Sequence, residues 1–262
     1  AETVFSDLAK IDQRAPQALK HLIGIYQSER DWPKAIENAT RFEAATGEPM
    51  GKLIGQFECE LAERQRAAGD IDAARESIAR AYAADSASVR AGMLEGRIEV
   101  ESGNDSASIR AFERAARHDP DYLPEILPQL LSSYERVGDS PGARTFLSEM
   151  SEHYRGIAPV LALTGLVEAE EGVSAARSYL AQQLKDRPSV RGEAALIDLT
   201  LAEDADSTAT LHDLKHITDQ LLVRNPSYRC SRCGFGARSH HWQCPSCKEW
   251  GTVKPLLNYA VV

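Results

Sequence analysis

Apolar positions before the cysteine-rich end of the sequence recur at the spacing of amphipathic helices. One stripe consists of Leu19, Leu22, Ile23 and Tyr26, and a second, later in the sequence, of Leu127, Leu130, Leu131 and Tyr134. Such i, i+3, i+4, i+7 patterns predict helices with one buried face. After each stripe and a short turn comes another helix with small residues near its start and larger ones following, such as Ala35, Ile36, Ala39 and Phe42. The pattern therefore predicts paired helices.

The turns between paired helices repeat at a nearly constant distance. Gly69, Gly103, Gly138 and Gly172 recur at intervals of about 34 residues, the period of the tetratricopeptide repeat, a helix-turn-helix unit that stacks into a solenoid. We therefore predict a mostly α fold, with a tetratricopeptide-type helical-hairpin solenoid over positions 1–222; a non-repetitive helical bundle is the alternative. The repeat is degenerate, since Gly92 and Gly96 replace bulkier residues and the turn at Gly172 is one residue short.

The beginning of the sequence predicts a truncated repeat. Ala1, Phe5 and Leu8 match Ala35, Ala39 and Phe42 at a separation of one repeat period, and the first residue is not methionine. Residue 1 would then lie inside a second helix whose partner is missing. We expect a fragment that starts mid-repeat, which leaves room for further repeats and a membrane anchor before it.

Composition and charge narrow the classes of function. The sequence is 43% hydrophobic and 26% charged, as in globular proteins. Residues 228–262 hold five Arg/Lys and one Glu, a net charge of +4, which leaves 25 minus 38, or −13, for residues 1–227. Bulk nucleic-acid binding through a basic face is therefore not expected. No apolar run reaches the roughly 18 residues that a membrane span needs and no signal peptide opens the sequence, so the fragment itself is expected to be soluble and cytoplasmic.

Four of the five cysteines lie between positions 230 and 247. Cys230 and Cys233 form one C-x2-C pair, Cys244 and Cys247 form another, and ten residues separate the pairs. Paired knuckles of this kind predict one metal ion, Zn or Fe, held by four thiolates. Two disulfides or unrelated thiols are the alternatives, which the near absence of cysteine elsewhere disfavours. The predicted module, residues 223–262, is too small to fold without its ion, so we expect it to pack on or beside the last hairpins.

Four thiolates leave no open coordination position, which favours a structural or regulatory site with Zn slightly preferred. Single-iron electron transfer is the competing possibility. His240 and His241 precede the second knuckle and are expected at the surface or around the ligands. His212 and His216 are interpreted as ordinary helix residues, and Cys59 as a small core residue.

The repeats predict binding and not catalysis. A stack of helical hairpins has a concave side, lined by first helices, that commonly holds a partner protein. No catalytic or nucleotide-binding motif is present in the sequence, so the protein is expected not to be an enzyme. The candidate contact residues on the exposed side of the first helices are Glu58, Arg90, Arg97, Gln129 and Ser133.

The C-terminal motif gives a family resemblance. A degenerate tetratricopeptide array that ends in Tyr228-Arg-Cys-x2-Cys-Gly-Phe, Trp242-x-Cys-Pro-x-Cys and Trp250-x3-Lys254-Pro255 resembles the cytoplasmic part of the lipopolysaccharide assembly protein B family of Gram-negative bacteria. The resemblance covers essentially the whole sequence. It implies a rubredoxin-like metal module with the four cysteines as ligands, and an N-terminal transmembrane helix at the inner membrane.

The resemblance also implies a function and partners. Members of the family act as adaptors that promote degradation of the deacetylase LpxC by the membrane protease FtsH, and a membrane protein of the LapC (YejM) type opposes them. We also consider a homodimer as the oligomeric state of the protein. Redox rubredoxins have a longer segment between their knuckles and usually a glycine where Lys248 stands, which favours a structural module over a rubredoxin-type one-electron carrier.

Overall fold

The computed structural model describes residues 2–8, 15–203 and 209–256. The protein divides into two compact units, residues 1–118 and 119–262. The described part of the first unit is helical, and that of the second contains helices followed by a small sheet. Among the described residues, no helix is both long and apolar enough to cross a lipid bilayer. The prediction of a mostly α fold of tetratricopeptide-type hairpins with short C-terminal strands is confirmed.

The helices alternate as first and second members of hairpins. In the first unit they are α1 (Glu2–Leu8), α2 (Ala15–Glu29), α3 (Trp32–Thr46), α4 (Gly51–Ala67), α5 (Ile71–Ala84), α6 (Val89–Glu101) and α7 (Asp105–His118). The second unit has a short 3-10 helix, η1 (Pro120–Tyr122), followed by α8 (Leu123–Val137), α9 (Ser140–His153), α10 (Ala158–Glu171), α11 (Val173–Asp186), α12 (Val190–Glu203) and α13 (Ala209–Arg224).

The hairpin turns combine a left-handed glycine with an N-terminal cap. Gly69 and Gly138 have φ of +81° and +72°, a conformation that glycine adopts without steric penalty. The aspartate after each glycine caps the second helix, because the Asp70 side chain accepts from Ala73 N at 3.1 Å and the Asp139 side chain from Gly142 N at 2.9 Å. The shorter turn predicted at Gly172 is present, since this one residue separates α10 from α11 and supplies no side-chain cap.

Close approach of α6 and α7 explains the two unexpected glycines. A Cβ atom on Gly96 would lie 2.5 Å from the Phe112 ring, and one on Gly92 would lie 2.9 Å from Ala115 Cβ. Phe112 is 1% exposed, so its ring fills the space that a side chain at position 96 would take. The small residues on α6 are therefore compensated by the large side chain of Phe112 on α7.

The small sheet has strand order β2-β1-β3, all antiparallel, with β1 at Tyr228–Cys230, β2 at Gly236–Ala237 and β3 at Val253–Pro255. Tyr228 pairs with Ala237 on one side and with Pro255 on the other. This sheet carries the four-cysteine site. Ala1 lies outside the described residues, so the start of the sequence within a repeat stays a prediction.

Candidate metal centre

Two matching backbone turns present the cysteines. In the first turn, Gly234 N donates to Cys230 O at 2.9 Å and Cys230 N donates to Phe235 O at 2.8 Å. In the second, Lys248 N donates to Cys244 O at 3.0 Å and Cys244 N donates to Glu249 O at 2.8 Å. The same offsets from the first cysteine occur in both knuckles. The C-x2-C spacing thus gives two equivalent loops, each with its two sulfurs on one side.

The fifth residue of each knuckle has a left-handed backbone. Gly234 has φ of +77°, and Lys248, at the equivalent position, has φ of +61°. A side chain in this conformation is strained by about 1–2 kcal/mol relative to glycine. Gln243 Nε2 donates to Lys248 O at 3.0 Å and helps to hold the strained loop. The absence of glycine noted in the sequence therefore changes the strain and leaves the loop geometry intact.

The four sulfur atoms form a compact group, all within 4.8 Å of one another. Cys230 Sγ lies 3.8 Å from Cys247 Sγ, and Cys233 Sγ lies 3.7 Å from Cys244 Sγ. A regular tetrahedron with metal–sulfur bonds of about 2.3 Å has edges of about 3.8 Å. The donor set and its spacing therefore fit one tetrahedral ion. Among the described residues, no other group of three or more side chains is arranged for a metal.

The surroundings of Cys230 and Cys233 favour the thiolate, the charged form of the side chain. The Thr252 hydroxyl lies 3.3 Å from Cys230 Sγ and, with backbone N–H groups of the knuckle, lowers the pKa of Cys230 to about 6. The backbone N–H of Phe235 lowers the pKa of Cys233. Burial and the neighbouring sulfurs raise the pKa of Cys247 to about 12, because four thiols this close do not all ionise without a cation.

The four cysteines differ in access to solvent. Cys230 and Cys244, the first cysteines of the two knuckles, are 1% and 0% exposed. Cys233 is exposed and Cys247 is half-buried. One side of the site is therefore covered by the module's own core, which includes Val253, and the other side faces water.

An aromatic cluster joins the module to η1. Tyr122 stacks on Trp242 with ring centroids 5.1 Å apart, and His240 meets the Trp242 ring edge-on at 4.6 Å. Lys254 Nζ lies 4.0 Å above the centre of the Tyr122 ring. Tyr122 is only 3% exposed. The module thus uses its own aromatic side chains to cover a tyrosine of the helical region.

Polar contacts surround this cluster. The Tyr228 hydroxyl hydrogen-bonds the Glu125 carboxylate, and Lys254 pairs with Asp119. All the contacts described here join the module to η1 and to the first turn of α8. The module therefore packs on the helical region at residues 119–125, where the complementary aromatic and acidic groups lie, whereas the expectation placed it on or beside the last hairpins.

His240, His216 and Cys59 lie outside the four-sulfur group. His240 belongs to the aromatic cluster and not to the sulfur group. His216 on α13 contacts Gln220 at 2.8 Å, and no metal-binding group includes it within the described part of the protein. Cys59 lies in the core between α4, α5 and α6, where burial raises its pKa to about 12. Its interpretation as a core residue is confirmed.

The candidate partner-binding residues are less exposed than predicted. Glu58 is 5% exposed and pairs with Arg80 at 3.0 Å, while Arg90 is 4% exposed and pairs with Glu60 at 2.7 Å. Ser133 is fully buried. These three were wrongly expected at the surface, because Glu58 and Arg90 meet partners on adjacent helices and Ser133 accepts from Arg136 on its own helix at 3.0 Å. Arg97 and Gln129 are partly exposed.

Asp119, Tyr122, Glu125 and Thr252 were not singled out from the sequence as residues that position the site. The Asp119 side chain accepts from Asp121 N at 3.1 Å and starts η1. The signal available in the sequence was a tyrosine, Tyr122, two residues after Pro120.

Paired helices and a four-sulfur module define a repeat protein of tetratricopeptide type that carries a rubredoxin-like metal-binding module. The family model described as "Rubredoxin metal binding domain" matches residues 228–255. Over 258 residues, 98% of this chain, the sequence is 31% identical to lipopolysaccharide assembly protein B of Escherichia coli K12. The chain belongs to the lipopolysaccharide assembly protein B family.

Further similarities extend this comparison. The protein of the same name from Haemophilus influenzae is 27% identical over 260 residues. The chain spans 66% of the length of the Escherichia coli relative and 65% of the Haemophilus one. A solved structure from a functional characterisation of Pseudomonas aeruginosa pilF is 16% identical, covering 82% of this chain and 99% of that chain with a TM-score of 0.43.

Proposed function

We propose that this chain is the partner-binding part of a non-enzymatic adaptor that regulates lipopolysaccharide synthesis. In this proposal it promotes degradation of the deacetylase LpxC by the membrane protease FtsH, and a LapC/YejM-type membrane regulator opposes it. The observation that carries the proposal is the similarity to lipopolysaccharide assembly protein B over 98% of the chain. Helical hairpins that leave partly exposed polar side chains on their first helices support a binding role.

The proposed site of action is the cytoplasmic face of the inner membrane. A transmembrane helix N-terminal to these repeats would tether the adaptor there, and residues 1–222 and 223–262 would act as the repeat array and the metal module. Holding substrate and protease together raises their effective concentration, which accelerates degradation without chemistry by the adaptor. A homodimer is compatible with this mechanism.

We propose Cys230, Cys233, Cys244 and Cys247 as the ligands of one structural ion, with Zn favoured over Fe. The sulfur spacing fits either metal, and the exposed Cys233 leaves the site open to exchange. The bound ion would offset half of the charge of the four thiolates and fix both knuckles, so that Trp242 and Lys254 are presented to η1. Metal analysis and the visible spectrum test this, since a reversibly bleached iron–thiolate band would instead support the one-electron carrier.

The adaptor proposal is tested by binding with purified components. The metal-loaded protein is immobilised and exposed separately to LpxC and to the cytosolic part of FtsH. Binding of at least one of them is expected. The proposal is refuted if the immobilised protein, with its metal and its helical content intact, retains neither LpxC nor the cytosolic part of FtsH.

A further inference from the structure

Two rows of side chains face each other across α4 and α6 in the first unit. Gln56, Glu60 and Glu63 follow one another at intervals of three or four residues on α4, and Arg90, Arg97 and Glu101 lie along one face of α6. Arg90 spans the rows to Glu60 Oε1 at 2.7 Å. Near the other end, Arg66 binds Glu63 and Glu101, each at 2.6 Å. Cross-helix pairs therefore fix the rows at both ends.

Arg97 lies between these pairs and differs from the neighbouring arginines. Like that of Arg66, its Nε atom is buried and has no hydrogen-bond partner among the described residues, so the difference lies in the terminal nitrogens. Arg66 and Arg90 instead bind carboxylates through their terminal nitrogens. No such pair is present for Arg97 within the described residues, and its side chain remains partly exposed. The terminal nitrogens of Arg97 thus keep donors for which the described residues supply no acceptor, on a side chain that is only partly exposed.

We infer that Arg97 is the anchor for a carboxylate group of the partner protein, supplied either by an acidic side chain or by a free C-terminus. The inference rests on the proposed adaptor function and names the chemistry that its α4–α6 surface recognises. A planar guanidinium presents two parallel donors to one carboxylate, and such charge-assisted pairs are stronger than neutral hydrogen bonds.

The charges around Arg97 indicate which property of arginine would attract a carboxylate. Arg66, Arg90 and Arg97 are balanced by Glu60, Glu63 and Glu101, three charges of each sign. A ligand carboxylate is therefore drawn by the directed hydrogen bonds of Arg97 and not by a net positive field. Lysine at this position would keep the positive charge but would lose the pair of parallel N–H donors of the guanidinium. It should therefore replace arginine poorly.

The test measures the affinity of the metal-loaded protein, residues 1–262, for whichever of the two purified partners it binds. Arg97→Ala is expected to weaken binding roughly 10- to 100-fold, and Arg97→Lys at least several-fold. Arg110→Ala, which removes an exposed arginine on α7, is the matched control and should stay within about twofold. Thermal unfolding of the Arg97 variants should match that of the wild type, which separates lost recognition from lost structure.

If the wild-type protein binds a partner and Arg97→Ala binds it within about twofold as tightly, the inference is overturned while the adaptor function stands. If the wild type binds neither partner, the adaptor function fails and two peptides decide the inference. One is acetyl-Gly-Gly-Glu-Gly-Gly-amide, with only a side-chain carboxylate, and the other is acetyl-pentaglycine with a free C-terminus. A saturable shift of the Arg97 Nε–H NMR signal by either peptide supports the anchor and identifies its source, and no shift by either overturns it.

Discussion

Tyr122 is the residue whose removal should separate the metal module from η1. Its ring is 3% exposed, stacks on Trp242 at 5.1 Å and lies under Lys254 Nζ at 4.0 Å. Truncation of a buried aromatic residue to alanine destabilises by about 3–5 kcal/mol. Within that range, the aromatic stack contributes about 0.5–1.5 kcal/mol and the cation–π contact about 0.5–1 kcal/mol. Tyr122→Ala should therefore release the module and leave the more distant helices folded.

A double-mutant cycle isolates the stack from the general effect of a cavity. The free energy of opening is measured in the metal-loaded protein from exchange of the Ser231 amide, which donates to Thr252 O at 2.8 Å inside the module. Tyr122→Ala and Trp242→Ala are compared singly and together, and the expected coupling energy is about 1 kcal/mol.

The control for this cycle is Tyr122→Phe, which keeps the ring and removes only the hydroxyl contact to Gly251 O at 3.4 Å. Its exchange should change less than a few-fold. The reasoning is refuted if the two alanine substitutions are additive within about 0.3 kcal/mol, or if Tyr122→Ala leaves exchange at Ser231 unchanged.

Three further changes test other parts of the structure. Lys248→Gly should stabilise the metal-loaded module by about 1 kcal/mol because it relieves the left-handed strain, and a lower denaturation midpoint than wild type would contradict this. Gly96→Ala should destabilise by about 1–3 kcal/mol in urea unfolding, since its Cβ would meet the Phe112 ring at 2.5 Å; combining it with Phe112→Leu should recover part of the loss, and no recovery would count against the packing argument. Metal release, followed with a chromogenic chelator, should increase as the pH falls, because protons compete with the metal for the thiolates and even Cys230, whose pKa is lowered to about 6, becomes protonated in acid; release that does not depend on pH would be inconsistent.

The helical hairpins were predictable because their determinants are local. A glycine with positive φ is followed directly by an aspartate cap at Gly69-Asp70 and at Gly138-Asp139. Two adjacent residues therefore determine each turn. The spacing of these turns then sets the repeat. The cysteine spacing predicted the two knuckles for the same reason, because each knuckle closes over a few residues through its own backbone hydrogen bonds.

The errors arose where residues far apart in sequence determine one environment. Glu58 and Arg90 look like surface residues until Arg80 and Glu60 are placed opposite them on the adjacent helices. The docking of the module had no local signal, because Tyr228 and Glu125 are 103 residues apart. A pattern along one helix reports which face is polar and does not report which polar group it will meet.

The contact between Lys254 and Asp119 closes a loop of 135 residues around α8 to α13. Contacts of such long sequence separation form late in folding, after the intervening helices have formed. During synthesis, η1 emerges with Tyr122 well before Trp242 exists to cover it. A polypeptide that ends before residue 228 keeps this tyrosine without the module's aromatic cover, so docking of the module completes the burial of the Tyr122 ring.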